Sequence, residues 1–147
     1  MFSGLRIATR EDIPAMHRVR LAVRENRLNS NAIAEADYLP AIENTGRGWV
    51  ATEDGAIVGF AIGNARTGNI WALFVHPDHE RCGHGRRLHD AMIEWLRTVD
   101  APQPHLGTAP GTRAQRFYEA AGWTYLGLLP NGDAQYVFRR PDAMESE

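Results

Sequence analysis

The chain has 147 residues, 44% of them hydrophobic and 23% charged, with a formal net charge of -2. One globular domain of that size buries roughly 70% of its unfolded surface and needs no covalent staples. The near-neutral balance excludes the strongly basic surface of a nucleic-acid binder or of a protein drawn to anionic membranes, so any anion site has to be local.

The elements follow from apolar period and punctuation. Residues 5–8 read as a short strand. Thr9 is placed to cap a helix that carries Ile13, Met16, Val19 and Val23 at helical spacing. Residues 24–31 are polar and irregular, and a second helix is expected over 37–44. Residues 49–53 and 56–63 form a hairpin around Asp54-Gly55, a pair suited to a tight turn. Residues 69–75 are the most apolar strand and do not alternate, which predicts a central strand buried on both faces. Residues 86–99 present Leu88, Met92, Trp95 and Val99 as one amphipathic stripe. A strand over 105–108, a helix over 113–121 stopped at Gly122, and a hairpin of 124–129 with 135–139 around Asn131-Gly132 complete the order. The pattern predicts an α/β or α+β layer, with helices on a mixed sheet. Residues 1–140 read as one domain, and 141–147 as an acidic tail that frays.

The single cysteine, Cys82, excludes an intrachain disulfide and points to a reducing, cytoplasmic setting. The first ten residues lack the apolar stretch of a signal peptide, and no run approaches the ~18 apolar residues of a membrane span. All 16 basic residues are arginine; arginine codons are GC-rich, so a GC-rich bacterial source is expected.

The segment with most chemical content is VHPDHERCGHGRRL, residues 75–88. A buried strand ends at Val75, Pro77 breaks it, and Gly83-His84-Gly85 precedes a helix. Free N–H groups at a helix start, with about half a positive charge from the dipole, suit an anion. Glycines let backbone approach phosphate oxygens without a Cβ in the way. Arg86 and Arg87 stand where the dipole disfavours cations, which makes sense if an anion neutralises them. The same residues also fit a plain tight turn with solvated arginines. A nucleotide P-loop is excluded because its Gly-Lys-Ser/Thr ending needs lysine. His76, His79, Cys82, His84 and His89 crowd together, but their spacing matches no usual zinc pattern, so no metal is expected.

Two motifs carry a resemblance. Residues 80–85, Glu-Arg-Cys-Gly-His-Gly, resemble the Gln/Arg-x-x-Gly-x-Gly/Ala pyrophosphate motif of the GNAT (general N-acetyltransferase) superfamily, with Glu80 departing at the first position. Residues 111–123, GTRAQRFYEAAGW, resemble the family's later helix: Ala114, Phe117, Tyr118 and Gly122 fit, Trp123 stands for the terminal aromatic, and Gly111 replaces the usual Asn. The opening strand and helix also look like the family's first two elements, so the likeness spans nearly the whole chain.

The resemblance implies a GNAT-like fold: one mixed, mostly antiparallel sheet of six or seven strands flanked by about four helices. It implies acetyl-CoA as co-substrate, no metal, and a small-molecule or peptide amine as acceptor; it leaves a homodimer open. Leu73, Phe74 and Val75 would offer backbone groups to pantetheine. Arg81, Cys82, Gly83, His84, Gly85 and Arg86 would cradle the pyrophosphate, with Thr112 and Phe117 beside the cofactor. Tyr118 would lie near the thioester sulfur. Residues 24–27 would wall the acceptor side.

Acyl transfer to an amine needs a neutral amine, a stabilised oxyanion and a protonated thiolate. A lysine-like amine of pKa ~10.4 costs about 4.6 kcal/mol to deprotonate at pH 7, an α-amine near ~8 about 1.4. Only the former demands a base. A tyrosine near ~10 protonates a thiolate of ~8.5 uphill by about 2 kcal/mol, so Tyr118 is the candidate acid, and the backbone N–H of Phe74 is the candidate oxyanion donor. Many relatives carry a glutamate on the central strand where this chain has Trp71. Glu25 is therefore the candidate base, with His76, His105 or a water relay as alternatives. A non-catalytic acyl-CoA sensor would keep the turn but lack an acid and an acceptor pocket; Tyr118 favours the enzyme.

Overall fold

The computed structural model describes residues 3–23 and 33–139. The expected fraying of the acidic tail and the expected acceptor wall at 24–27 fall outside those residues. In chain order come β1 (Ser3–Ile7), α1 (Ile13–Ala22), α2 (Tyr38–Glu43), β2 (Gly46–Glu53), β3 (Ala56–Asn64), β4 (Ile70–Val75), α3 (His84–Thr98), β5 (His105–Thr108), α4 (Arg113–Ala120), β6 (Thr124–Leu128) and β7 (Ala134–Val137). The order is the expected one, and local chemistry sets the boundaries. Asp54 and Gly55 both have positive φ (51° and 87°), as the tight β2–β3 turn requires. One 3-10 turn, residues 10–12, separates Thr9 from α1. There the Asp12 carboxylate accepts from the Thr9 backbone N–H at 2.8 Å and pairs with Arg6 at 2.8 Å.

The strands form two sheets. β1-β2-β3-β4 are antiparallel neighbours, and β5-β7-β6 form the second sheet. They meet at one parallel bridge, Asn69 to His105. The single sheet expected from the sequence is thus parted along the β4–β5 seam. The four-stranded sheet alternates its side chains between two cores. Trp49, Ala51 and Ala61 join α3, β5 and β7 in one cluster. Val50, Phe60 and Ile62 join α1 and α2 in the other.

β4 breaks this alternation. Ile62 lies opposite Ala72 but Gly63 opposite Ile70, so Trp71 is an extra residue that bulges the strand. Trp71 and Ala72 consequently pack in the same cluster. The strand is buried only at Ile70 and Ala72; residues 73–75 are half-buried because the sheets have parted beside them.

In α3 the buried seam is Leu88, Met92 and Leu96, all inaccessible to solvent. Val99 is 44% exposed at the helix end, outside the stripe its spacing suggested, because the helix stops at Thr98. Trp95 is half-buried instead, edge-on to Trp49 and under Arg47.

The joint between the sheets rests on Gly68, whose carbonyl accepts from the His105 N–H at 3.0 Å. Its φ is +82°, and a Cβ there would lie 2.5 Å from the Gln103 carbonyl oxygen. Gly55 has a similar φ, +87°, with nothing within 4 Å. Gly55→Ala should therefore cost only the left-handed backbone penalty, about 1–2 kcal/mol. Gly68→Ala adds a backbone clash and should exceed about 4 kcal/mol; urea denaturation of the two variants measures the difference.

Candidate functional site

Beyond the Asn69–His105 bridge, β4, the glycine turn, the start of α3 and α4 line an open cleft of about 360 Å³. Its floor is Leu73, Phe74 and Val75, whose strand has no hydrogen-bonded neighbour on this side after Asn69. Backbone polar groups on such an edge need partners from solvent or ligand.

One end of the cleft is the glycine turn. Arg81 and Gly83 both adopt left-handed backbone, with φ of 65° and 85°. Gly83 caps α3, and the first helical bond runs from the Arg87 N–H to the Gly83 carbonyl at 3.1 Å. The helix thus starts at His84, two residues before its expected start, and Gly85 sits within its first turn. The N–H groups of His84, Gly85 and Arg86 are the first of the helix and have no carbonyl partner within it. A Cβ at Gly85 would sit 3.5 Å from Phe117 and 3.7 Å from Val75, ordinary contact distances that place the helix start beside both residues.

The side chains of the turn divide by role. Arg81, Gly83, His84, Gly85 and Arg86 line the cleft; Cys82 is exposed and does not. The His84 ring is buried: its Nε2 lies 2.6 Å from Glu53 Oε2, and its Nδ1 lies 2.8 Å from an Arg87 Nη2. Arginine only donates, so Nδ1 accepts and Nε2–H donates to the carboxylate. This neutral ring couples Arg87 to Glu53, and His79 Nδ1 adds a contact to Glu53 at 3.1 Å. Hydrogen bonding by His84 first, and the charge and hydrogen bond of His79, hold the Glu53 carboxyl below the usual carboxylate range. Arg86 is paired with Asp90 at 3.1 Å. The two arginines that clashed with the helix dipole are thus each tied to a carboxylate, Arg87 through His84.

Glu80, the departure from the family motif, forms an ion pair with Arg113 of α4. Both residues line the cleft, so the pair links its two walls. Arg81 has no ion-pair partner among the described residues and stands at the same mouth. Glu53 and Arg113 escaped the sequence reading. Arg113 carried a usable signal, a cation in a helix's first turn like Arg86 and Arg87. Glu53 carried none, because its partners lie 26 and 31 residues away.

At the other end are Phe117 and Tyr118 of α4, both lining the cleft. Tyr118 is 6% exposed, packed edge-on to Phe117 and Trp123. Burial pushes its phenol above the ordinary value of 10.0, so the hydroxyl keeps its proton across the working pH range. Thr112 does not line the cleft. It caps α4, accepting from the Gln115 N–H at 3.3 Å and donating to the Ala109 carbonyl at 2.8 Å. His76 accepts from the Asp78 N–H and faces another pocket beside Arg6 and Asp12. His105 contacts the Gln103 carbonyl, away from the cleft. Glu25 lies outside the described residues. Trp71 lies against Tyr38 on the far side of β4.

The crowded histidines are dispersed among separate partners. His89 accepts from the Trp123 indole N–H at 2.9 Å and contacts Asp90. Among the described residues, no group of three or more His, Cys, Asp or Glu could hold a metal ion.

This arrangement, a parted strand edge leading from a glycine-capped helix start to a buried tyrosine, has relatives. The model of the Acetyltransferase (GNAT) family matches residues 10–123. The chain belongs to the GNAT acetyltransferase family. It is an acetyl-CoA-dependent N-acetyltransferase acting on an amine acceptor. No curated protein sequence matches it. Solved structures share its fold at low identity. The ribosomal-protein-S18-alanine N-acetyltransferase of Escherichia coli is 18% identical, with a TM-score of 0.71 over 92% of this chain and 90% of that one. PaiA N-acetyltransferase of Thermoplasma acidophilum, solved with coenzyme A, is 13% identical, with a TM-score of 0.75 over 95% and 100%. A GNAT-family acetyltransferase of Staphylococcus aureus is 18% identical, with a TM-score of 0.78 over 93% and 98%. No helix among the described residues is long and apolar enough to cross a membrane.

A carboxyl whose folded pKa is depressed contributes stability above its unfolded value, and that contribution is lost as pH falls through the folded one. For Glu53 the loss begins below about pH 5. Glu53→Gln should flatten this acid limb: between about pH 5 and pH 3 the thermal midpoint of the wild type should fall more steeply than that of the variant.

Proposed function

We propose that the pyrophosphate of acetyl-CoA binds the N–H groups of His84, Gly85 and Arg86, with Arg81 and Arg86 contributing charge. The observation that carries this is the convergence of the helix start, the open β4 edge and Tyr118 in one cleft. Pantetheine follows the edge at Leu73–Val75, its amides standing in for the missing neighbour strand. Phe117 packs between Gly85 and Tyr118 and closes the wall beside it. Cys82 and Thr112 act through backbone geometry, as a turn residue and a helix cap.

The acceptor, a small-molecule or peptide amine, attacks the thioester carbon directly. Its nitrogen forms the new C–N bond, and the carbonyl oxygen becomes an oxyanion facing the Phe74 N–H. When the C–S bond breaks, Tyr118 donates its proton to the sulfur. The proton lost by the amine leaves through water and restores the phenol. Burial keeps the Tyr118 proton in place before the reaction and makes its transfer to a free thiolate more uphill than at the ordinary phenol value, so the transfer accompanies C–S cleavage. None of the described base candidates from the sequence lines the cleft, which supports a water relay or Glu25.

Tyr118→Phe should lower kcat by at least about tenfold while leaving the dissociation constant of acetyl-CoA within about threefold; an unchanged kcat would make the hydroxyl structural. Cys82→Ser should retain most activity in a thiol-release assay, since no covalent acyl-cysteine forms. Acetyl-CoA, and not ATP, should raise the melting temperature, as mass action requires of a ligand bound by the folded state.

A further inference from the structure

Burying a charge without a partner is costly, so each instance calls for a physical reason. Among the described residues the buried titratable side chains Asp12, His84 and His89 all have partners. Arg20 does not. It is 7% exposed, its Nε is buried with no acceptor, and it forms no ion pair among the described residues. Its guanidinium carbon sits 5.1 Å from the centre of the Phe74 ring.

Stacking on a ring satisfies one face of a guanidinium and leaves its edge donors available. Nε is inaccessible, so the edge offered to a ligand is the one formed by the two terminal nitrogens, which also matches the two oxygens of a carboxylate. The position is suited to such a ligand. Phe74 lines the acetyl-CoA cleft, and so does Val23, one turn beyond Arg20 at the end of α1. CoA phosphates are not the missing partner. The glycine turn packs against Val75 and Phe117 in one core cluster, while Arg20 and α1 lie with Phe74 in the other, across β4. Pantetheine and the thioester carry no charge, and no described residue offers Arg20 a carboxylate, so the anion assigned to this face is the acceptor's.

We propose that Arg20 is a specificity-determining residue of the acceptor site and binds a carboxylate carried by the amine acceptor against the Phe74 ring. The substrate class is an amino acid or other amino carboxylate. This rests on the assignment of the cleft to acetyl-CoA.

The test is acetyl-CoA-dependent thiol release with matched pairs: glycine, L-alanine, β-alanine and 4-aminobutyrate, each beside its carboxamide. At least one acid should exceed its own amide by about 10- to 100-fold in kcat/KM. Arg20→Gln should bring that acid down to the level of its amide with the KM for acetyl-CoA unchanged. Arg20→Lys, which keeps the charge but not the fork, should fall between. Amides equal to or better than the acids in the wild type, release with none of the acids, or equal losses for acid and amide in Arg20→Gln would each overturn the proposal. The wild-type comparison does not depend on a variant folding. Calorimetry with acetyl-CoA alone separates the two levels: failure of the wild type to bind it overturns the cleft assignment itself, whereas normal binding without acid preference overturns only the role of Arg20.

Discussion

Everything at this site depends on the parting of β4 from β5. The two strands share one bridge, Asn69 to His105, and then diverge. A hydrogen-bonded seam would have consumed the backbone groups of residues 73–75, and the protein would have gained sheet and lost its cleft. Keeping the seam open leaves unpaired polar backbone beside an apolar wall, tolerable only where solvent or a ligand supplies the partners. The first core cluster makes the opening affordable. It runs under both sheets, from Trp49 through Leu88, Met92 and Leu96 to Tyr136, so hydrophobic burial joins what the hydrogen bonds do not.

The glycine-turn end of the cleft solves a different problem, holding Arg86 and Arg87 at the positive end of the α3 dipole and Arg113 at that of α4. Each is fixed by a carboxylate reached from another direction: Arg86 by Asp90 one turn along, Arg113 by Glu80 across the cleft, and Arg87 by Glu53 through the neutral ring of His84. His84 lies in the motif, yet its ring serves the scaffold. Its backbone N–H has no carbonyl partner within the helix, so in the proposed site a motif of mixed side chains can still make a backbone cradle. The Glu80 departure is absorbed in the same way, by a partner on α4.

β4 also divides the chemistry between its two faces. Val75 and Leu73 pack toward the cofactor side, Phe74 toward α1 and Arg20. The bulge at Trp71 sets this phase, since one extra residue exchanges the faces of all that follow. Trp71, where many relatives have glutamate, is thereby left against Tyr38, whose phenol burial raises to about 12. In the proposed mechanism the strand therefore supplies geometry rather than a proton acceptor.

The order of elements, the Asp54-Gly55 hairpin, the Leu88–Met92 seam and the glycine turn before α3 were all legible in the sequence, because each is local: period, turn chemistry and helix capping act within a few residues. The glycine turn, with arginines at odds with a helix dipole, was legible as well, and the anion it suggested belongs to the proposed function. Tertiary structure decided what those arginines do, since Glu53 and Glu80 come to them from distant strands and turns. It decided that Val99 leaves the stripe, that Cys82 and Thr112 stand off the cleft, and that the sheet divides where continuous pairing was expected. It also decided that Arg20 is buried with no ion-pair partner among the described residues, although the sequence does not set it apart from the arginines around it. Burial and the absence of a partner are properties of the packed chain, set by contacts across β4 that no spacing along one helix can express.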